Sequence, residues 1–239
     1  PEREEKRSRP MRNCDHRSRW DKLRGIWEII DRLRGEGGCP WDRKQTPASV
    51  QAYLIEEAHE AAAAVRTGSA SEAAEELGDL LFMTLFLVHL YEEDRHFTLE
   101  EVCDRITEKM IRRHPHVFGD VTAKTAEEVK DNWEKIKADE KSGRGKNPSA
   151  VPETLPALMR AYRTVSRLSH REGSPWNDPR RLFEDLRNRM EDLASRIHGG
   201  GDPSGRDFAQ LLLSLVNLAR LQGYRAEDCL HDLLRDLDA

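Results

Sequence analysis

Apolar residues recur at spacings of three and four along almost the whole chain, and alternation with a period of two is nearly absent. Spacings of three and four place side chains on one face of an α-helix, whereas a half-buried strand needs the shorter period. The sequence therefore predicts an all-α protein. The clearest stripe lies in a first predicted helix over residues 17–34 and consists of Trp20, Leu23, Ile26, Trp27, Ile30 and Leu33.

Capping residues and prolines define four further helices in the first part of the chain. Their predicted first residues follow Thr46, Ser69, Thr98 and Thr125. The helices are predicted to end at Gly68, about Asp94, Pro115 and about Lys141. Ser69, Thr98 and Thr125 are each followed by glutamate three residues later, which is typical of a capping box.

Composition divides the chain into four segments. Residues 1–16 form a charged tail without a hydrophobic signal core, and residues 17–141 form the first helical domain. Residues 142–152 are rich in glycine, proline and polar residues, which is typical of a linker. Residues 153–239 resume the helical pattern.

The overall composition favours a soluble protein in a reducing compartment. Its net charge is −5, which argues against a nucleic-acid partner, because nucleic-acid-binding proteins usually need a basic surface. No apolar run is long enough to span a membrane. The four cysteines contain no CxxC pair, so we expect a cytoplasmic location.

An acidic hairpin is predicted between residues 54 and 82, "LIEEAHEAAAAVRTGSASEAAEELGDLLF". Glu57 and Glu60 share a face of one helix, and Glu76 and Asp79 share a face of the next. Glu60 and Glu76 are both eight residues from Gly68, while Glu57 and Asp79 are both eleven residues away. An antiparallel pair would therefore place these four carboxylates at matching heights.

Ordinary solvated helix residues are the alternative interpretation of these acids. Two observations favour a metal site instead: no lysine or arginine lies three or four positions from them, and Asp79 directly precedes the apolar "LLFMTLFLV". Ligands that are all oxygen select a hard ion, so we expect Mg²⁺, with Mn²⁺ as a substitute.

Four segments, "GGCPWDRKQTPASVQAYLIEEAHEA", "AEELGDLLF", "KMIRRHPHVFGD" and "NWEKIK", resemble the MazG family of nucleoside triphosphate pyrophosphohydrolases. The resemblance covers about residues 17–141. It implies an antiparallel all-α bundle, a homodimer or higher oligomer, and Mg²⁺-dependent hydrolysis of a nucleoside triphosphate to the monophosphate and pyrophosphate. Its metal ligands, EExxE followed by ExxD, correspond to Glu57, Glu60, Glu76 and Asp79, and Glu56 is the first glutamate of that motif.

The resemblance also implies residues that contact the substrate. Its basic segment corresponds to Lys109, Arg112 and Arg113, and its later tryptophan to Trp133. Tyr53 would line the nucleotide pocket, although the sequence alone permits a core tyrosine equally well. A solvated basic helix end is the alternative for the three cations. For the catalytic residues we expect Glu57 together with Glu56, which is our choice for the base that accepts the proton of the attacking water.

The second half of the chain is predicted to be a degenerate tandem repeat of the first. "CPW" at 39–41 recurs as "SPW" at 174–176, an offset of 135 that places Glu57 on Asp192 and Glu60 on Ser195. At an offset of 131, Glu76 falls on Asp207 and Asp79 on Gln210. The apolar framework persists while the acidic set is lost, which predicts a structural copy. An unrelated helical domain is the alternative.

Two further functions stay open at this point. A related enzyme could act on phosphoribosyl-ATP or an alarmone, because such an enzyme would share the same carboxylate cage. A non-catalytic helical assembly or regulatory module could keep the cage for stability alone, but the basic segment and Trp133 would then have no purpose.

Overall fold

The computed structural model describes residues 16–142, 151–169 and 173–237. Every regular element in these ranges is a helix, so the predicted all-α fold is confirmed. The predicted tail up to residue 15 and residues 143–150 of the predicted linker lie outside the described residues. Within the described ranges, no helix is long and apolar enough to cross a membrane.

The chain divides into two compact units, unit 1 ending at Glu134 and unit 2 beginning at Lys135. Unit 1 contains α1 (His16–Arg34), α2 (Pro47–Thr67), α3 (Ala70–Glu93), α4 (Leu99–Arg113) and α5 (Pro115–Phe118). The division falls within α6 (Ala126–Ser142). Unit 2 contains α7 (Ala157–Ser169), α8 (Pro179–His198), α9 (Gly205–Leu221) and α10 (Ala226–Leu237). The segments Asp42–Lys44 and Pro175–Asn177 are short 3-10 helices.

The connection between α2 and α3 consists of Gly68 and Ser69, and each residue suits its position. Gly68 ends α2 with a φ of 78°, a conformation that favours glycine because it has no Cβ. Ser69 caps α3, its side chain accepting a hydrogen bond from the backbone amide of Glu72. This short connection makes α2 and α3 an antiparallel hairpin.

Proline at position 115 ends α4, as predicted, but it also begins another helix. Its ring cannot continue α4, while a missing N–H costs nothing at a first helical position. The one-turn helix α5 therefore starts at Pro115. The predicted cap at Thr125 is present, since its hydroxyl accepts a hydrogen bond from the Glu128 amide 3.2 Å away.

The core of unit 1 joins α1, α2 and α3. Ile30, Val50, Phe86 and Leu90 are almost completely buried and form one cluster. Around it pack the partly buried Ile26, Phe82, Met83, Leu85 and Leu87. From the predicted stripe of α1, Ile26 and Ile30 pack against the C-terminal half of α3, whereas Trp20 and Leu23 are exposed. The N-terminal half of α3 lies beside α2 near the hairpin turn.

A polar network on one side of this core connects α1 with α3. His89, which is 8% exposed, places its Nε2 atom 2.7 Å from Oδ1 of Asp31. Arg34 donates to both carboxylate oxygens of Glu93 at 2.6 to 3.0 Å, and also to the backbone carbonyl of Asp42. The guanidinium thus ties α1 both to α3 and to the loop that precedes α2.

Unit 2 has the same order of elements as the first part of unit 1. A first helix, a 3-10 helix, a helical hairpin and a last helix follow one another as α7, Pro175–Asn177, α8, α9 and α10. Its buried apolar residues are Val165, Leu182, Leu193, Leu211 and Val216. This order agrees with the repeat inferred from the sequence, which stays a prediction.

We predict that Arg34→Met lowers the free energy of unfolding by about 1 to 3 kcal/mol, because a largely buried guanidinium loses its carboxylate and carbonyl partners. Urea denaturation measures the change. Arg24→Met is the matched control on the same helix, since Arg24 and Asp21 form an exposed pair at 3.7 Å. We expect the control to change stability by less than about 0.5 kcal/mol. Equal losses in the two variants would contradict this role for Arg34.

Candidate metal centre and phosphate-binding segment

Three carboxylates from the α2–α3 hairpin converge on one small volume. Glu57 on α2 and Glu76 and Asp79 on α3 each contribute one oxygen, and the three oxygens lie within 4.8 Å of one another. Glu57 and Glu76 are half-buried, while Asp79 is exposed. The short turn at Gly68 and Ser69 sets the relative height of the two helices, so the backbone positions these side chains.

Glu60 and Glu56 lie near this group without belonging to it, and both side chains are exposed. The equal count of residues from Gly68 predicted Glu60 as a fourth ligand, and this stays a prediction. The negative charge of Glu60 nevertheless acts on its neighbours, as their pKa values show.

The pKa of Glu57 is raised above its ordinary value, first by partial removal from water and then by the charges of Glu60, Asp79, Glu76 and Glu56. The pKa of Glu76 is raised for the same two reasons, with Glu60 again the strongest neighbouring charge. Like charges that are held together favour the protonated forms. The metal-free hairpin is therefore under electrostatic repulsion at neutral pH.

This donor set fits a hard divalent cation. The group consists of carboxylate oxygens only, and it lies on two helices that are fixed by a tight turn. Oxygen ligands are those that Mg²⁺ and Mn²⁺ prefer in proteins. Glu57, Glu76 and Asp79 could hold such an ion, and Glu60 and Glu56 lie close enough in sequence to serve the surrounding shell.

The predicted basic segment lies at the C-terminal end of α4. Lys109 and Arg113 are half-buried and Arg112 is exposed. The guanidinium carbon of Arg113 lies 5.5 Å from the centroid of the Trp133 ring, a cation–π contact between α4 and α6. Two residues that the sequence connected only through the family resemblance are thus in direct contact.

Tyr53 is a surface residue, so the core alternative left open by the sequence is wrong. It is 39% exposed and lies one turn before Glu57 on α2. Its ring meets Trp41 edge to face, with centroids 5.8 Å apart, and Trp41 is itself 54% exposed. Trp41 lies in the loop that Arg34 joins to α1 and α3.

In unit 2, one arginine neutralises the two acids that align with Glu57 and Glu76. Arg196 pairs with Asp192 at 2.6 Å and with both oxygens of Asp207 at 3.0 Å. The Arg196 guanidinium, followed by Ser204, holds the pKa of Asp207 well below its usual range. By the offsets above, Asp192 and Asp207 correspond to Glu57 and Glu76. The comparison of the two halves of the sequence identified the lost carboxylates, but it did not identify Arg196 as the partner of the two that remain.

The fold and site define an all-α chain with a carboxylate cluster on a helical hairpin and a basic segment further along. Residues 45–118 match the family model of the MazG nucleotide pyrophosphohydrolase domain. The chain is 33% identical over 205 residues to the nucleoside triphosphate pyrophosphohydrolase of Escherichia coli K12, covering 83% of this chain and 78% of that protein. It is 37% identical over 213 residues to the nucleoside triphosphate pyrophosphohydrolase/pyrophosphatase MazG of Thermotoga maritima, covering 87% and 79%.

This chain therefore belongs to the MazG nucleotide pyrophosphohydrolase family. The predicted family and enzyme class, a hydrolase of nucleotide anhydride bonds, are confirmed. Among solved structures, a mazG-related protein from Thermotoga maritima aligns with a TM-score of 0.42 and 28% identity, covering 48% of this chain and 98% of that one.

We predict that Mg²⁺ or Mn²⁺ raises the melting temperature, and that the shift is smaller at about pH 5 than at about pH 8. The pKa values of Glu57 and Glu76 are raised, so the metal-free folded state loses stability as pH rises from their ordinary range through the raised values. Protons also compete with the cation at the lower pH. Differential scanning calorimetry with each metal and with chelator measures both effects.

Variants identify the ligands in the same experiment. Asp79→Asn should weaken the apparent metal affinity at least about tenfold. The control Glu100→Gln removes an exposed acid on α4, outside the cluster, and should leave the affinity unchanged. A metal-induced shift that persists fully in Asp79→Asn would rule this residue out as a ligand.

Proposed function

We propose that this protein hydrolyses nucleoside triphosphates to nucleoside monophosphates and pyrophosphate in a Mg²⁺-dependent reaction. The observation that carries the proposal is the convergence of Glu57, Glu76 and Asp79 within 4.8 Å on a rigid hairpin, in a chain of the MazG family. The relatives from Escherichia coli and Thermotoga maritima are named for this activity.

Glu57, Glu76 and Asp79 would hold the metal ion, with Glu60 as a further ligand or as a partner for water in its shell. When bound, a divalent ion supplies positive charge that neutralises the triphosphate and makes nearby water more acidic. Mn²⁺ would substitute, because it accepts the same oxygen ligands.

Glu56 is our candidate for the base that accepts the proton of the attacking water. It is adjacent to Glu57 in sequence and exposed, so solvent reaches it, and it is near enough to raise the pKa of Glu57. A carboxylate that lies beside the cation site, and is not required as a ligand, remains free to take a proton.

Lys109, Arg112 and Arg113 would bind the phosphates and the departing pyrophosphate. Guanidinium groups form strong, charge-assisted hydrogen bonds to phosphate oxygens. The contact of Trp133 with Arg113 would orient this guanidinium, and Tyr53 with Trp41 would offer an aromatic edge to the nucleobase or ribose.

For the second half of the chain, we propose a degenerate MazG-like repeat that has lost the activity, with the domain limits 17–141 and 153–239. Its support is the shared order of helices and the pairing of Arg196 with Asp192 and Asp207, which removes the acids from metal binding. The whole protein would act as a cytoplasmic homodimer or larger homo-oligomer that removes surplus or noncanonical nucleotides. Free Cys39, Cys103 and Cys229 agree with a reducing compartment.

We predict that Glu57→Gln and Asp79→Asn each lower pyrophosphate release by about 100-fold or more, because each removes charge from the site that stabilises the transition state. A panel of nucleoside triphosphates with Mg²⁺ and chromatographic separation of products measures this. Glu100→Gln again serves as the matched control. Full activity in both cluster variants would contradict the metal assignment.

The same panel separates the alternatives. Stabilisation by Mg²⁺ without pyrophosphate release from any nucleotide would indicate a non-catalytic module. Hydrolysis limited to phosphoribosyl-ATP or an alarmone would indicate the related enzyme.

A separate prediction concerns the basic segment. Arg113→Gln should raise KM for the triphosphate about tenfold or more, because a charge-assisted hydrogen bond to phosphate is lost. Trp133→Phe should retain most of the affinity, since phenylalanine keeps a ring face for the guanidinium, whereas Trp133→Leu should behave more like Arg113→Gln. Steady-state kinetics measure all three variants.

The matched control for the basic segment is Arg105→Gln on the same helix, which removes the same charge from an exposed arginine paired with Glu101 at 3.6 Å. If this variant raised KM as much as Arg113→Gln does, the effect would reflect general charge and the proposed phosphate contact would be wrong.

A further inference from the structure

Unit 2 contains a cavity that the proposed activity does not use. It has a volume of 310 Å³ and lies between the 3-10 helix Pro175–Asn177, the first half of α8 and the middle of α9. This volume is at the lower end of the roughly 300 to 1,000 Å³ of small-molecule sites. Exposed Pro175 and Arg181 are among its lining residues, so the cavity reaches the surface.

The charged residues of the cavity favour an anion. Two arginines, Arg181 and Arg189, line it together with one aspartate, Asp185. Nε of Arg189 donates to Asp185 at 2.6 Å and Nη1 donates to the side-chain oxygen of Gln210. The hydrogen bond that Arg189 donates to Asp185 raises the pKa of Arg189, so this guanidinium stays charged. A guanidinium has five N–H groups, and these contacts leave some of those on Arg189 for a ligand.

Arg181 adds a second cation. Among the interactions of the described residues, its side chain takes part in no hydrogen bond or ion pair, and it is exposed at the cavity. The lining therefore carries an excess of one positive charge, and the excess lies on a group with five unused donors. Arginine is well suited to a phosphate because its donors match two oxygens at once.

Two neutral donors complete the polar side of the cavity. Gln210 accepts from Arg189 through its oxygen, which leaves its amide group free to donate. Ser214 is 6% exposed and lines the cavity, and the hydrogen bonds described for unit 2 do not include its hydroxyl. Its hydroxyl can donate a hydrogen bond to a ligand oxygen in the cavity.

The remaining wall is apolar and fixed in place. Trp176, Leu182 and Leu213 line it. The backbone carbonyl of Trp176 accepts from Asn217 at 3.1 Å and from Arg220 at 2.8 Å, which anchors the 3-10 helix to α9. An indole beside aliphatic side chains is a suitable surface for a planar ring. Because the wall is held before any ligand arrives, little ordering is needed on binding.

We propose that this cavity binds a nucleoside monophosphate directly, without a metal ion. The phosphate would contact Arg181, Arg189 and Ser214, and the base would lie against Trp176. The proposal does not require the activity of unit 1. If unit 1 acts as proposed, its product is a ligand of unit 2, and this consequence rests on the proposed function.

Isothermal titration calorimetry of the full chain, in chelator, tests the proposal with the common nucleoside monophosphates, adenosine and inorganic phosphate as probes. We expect saturable binding of at least one monophosphate, and binding at least about tenfold weaker for adenosine and for phosphate alone. Arg181→Gln should weaken monophosphate binding about tenfold. Arg187→Gln, the same change at an exposed position of α8 outside the cavity, should have no effect.

Further variants separate this cavity from the site in unit 1. Ser214→Ala is a second test that preserves the charge, and it should also weaken binding. Glu57→Gln and Asp79→Asn should leave monophosphate binding unchanged while they lower hydrolysis by about 100-fold or more, so the failure of one proposal is distinguishable from the failure of the other. The proposal is overturned if no monophosphate binds in chelator, if Arg181→Gln binds as well as Arg187→Gln, or if binding is lost in Asp79→Asn.

Discussion

Repulsion among the carboxylates of the α2–α3 hairpin is the constraint that unit 1 is built to withstand. One oxygen from each of Glu57, Glu76 and Asp79 lies within 4.8 Å of the others, and partial removal from water together with the neighbouring charges raises the pKa values of Glu57 and Glu76. The two-residue turn prevents the helices from separating at one end. At the other end, the apolar cluster around Phe86 and the contacts of Arg34 hold α3 against α1. Packing energy at a distance from the site thus maintains an arrangement that is locally unfavourable.

In unit 2, a side chain of the protein itself neutralises the carboxylates that lie between the two helices of the hairpin. Asp192 and Asp207 converge between α8 and α9, and Arg196 lies between them with hydrogen bonds to both. The guanidinium is a permanent cation, so these carboxylates need no ion from solution. The position that aligns with Arg196 in unit 1 is Ala61, a small buried residue. The α2–α3 hairpin therefore leaves its carboxylates available for an exchangeable cation. In the α8–α9 hairpin, Arg196 already occupies the corresponding carboxylates.

Much of this fold could be predicted from the sequence because the signals are local. Caps at Thr46, Ser69 and Thr98 and the stop at Pro115 determine where helices begin and end, and the structure agrees at each of them. The gathering of acids on the hairpin follows from helical spacing and the position of Gly68. The equal count of residues also predicts Glu60 as a fourth ligand; after partial removal from water, its charge is the strongest of the neighbouring charges that raise the pKa values of Glu57 and Glu76.

Other features depend on contacts between distant residues, which spacing does not reveal. The edge-to-face pair of Trp41 and Tyr53 and the contact of Arg113 with Trp133 join different elements of the fold. The arginines of unit 2 were missed for a different reason. A comparison that follows only the loss of acidic ligands does not detect an arginine such as Arg196, which aligns with Ala61 of unit 1.

These gained arginines change the kind of ligand that a hairpin of this type can accept. A cluster of carboxylates repels a polyphosphate and can meet it only through a divalent cation. A cavity lined by Arg181 and Arg189 attracts an anion directly, but Asp185 and Gln210 already use part of that capacity. The modest positive excess that remains suits a single phosphate better than a triphosphate, whose larger charge would be only partly compensated. Under the two proposals above, unit 1 would bind the highly charged substrate and unit 2 would bind a less charged nucleotide.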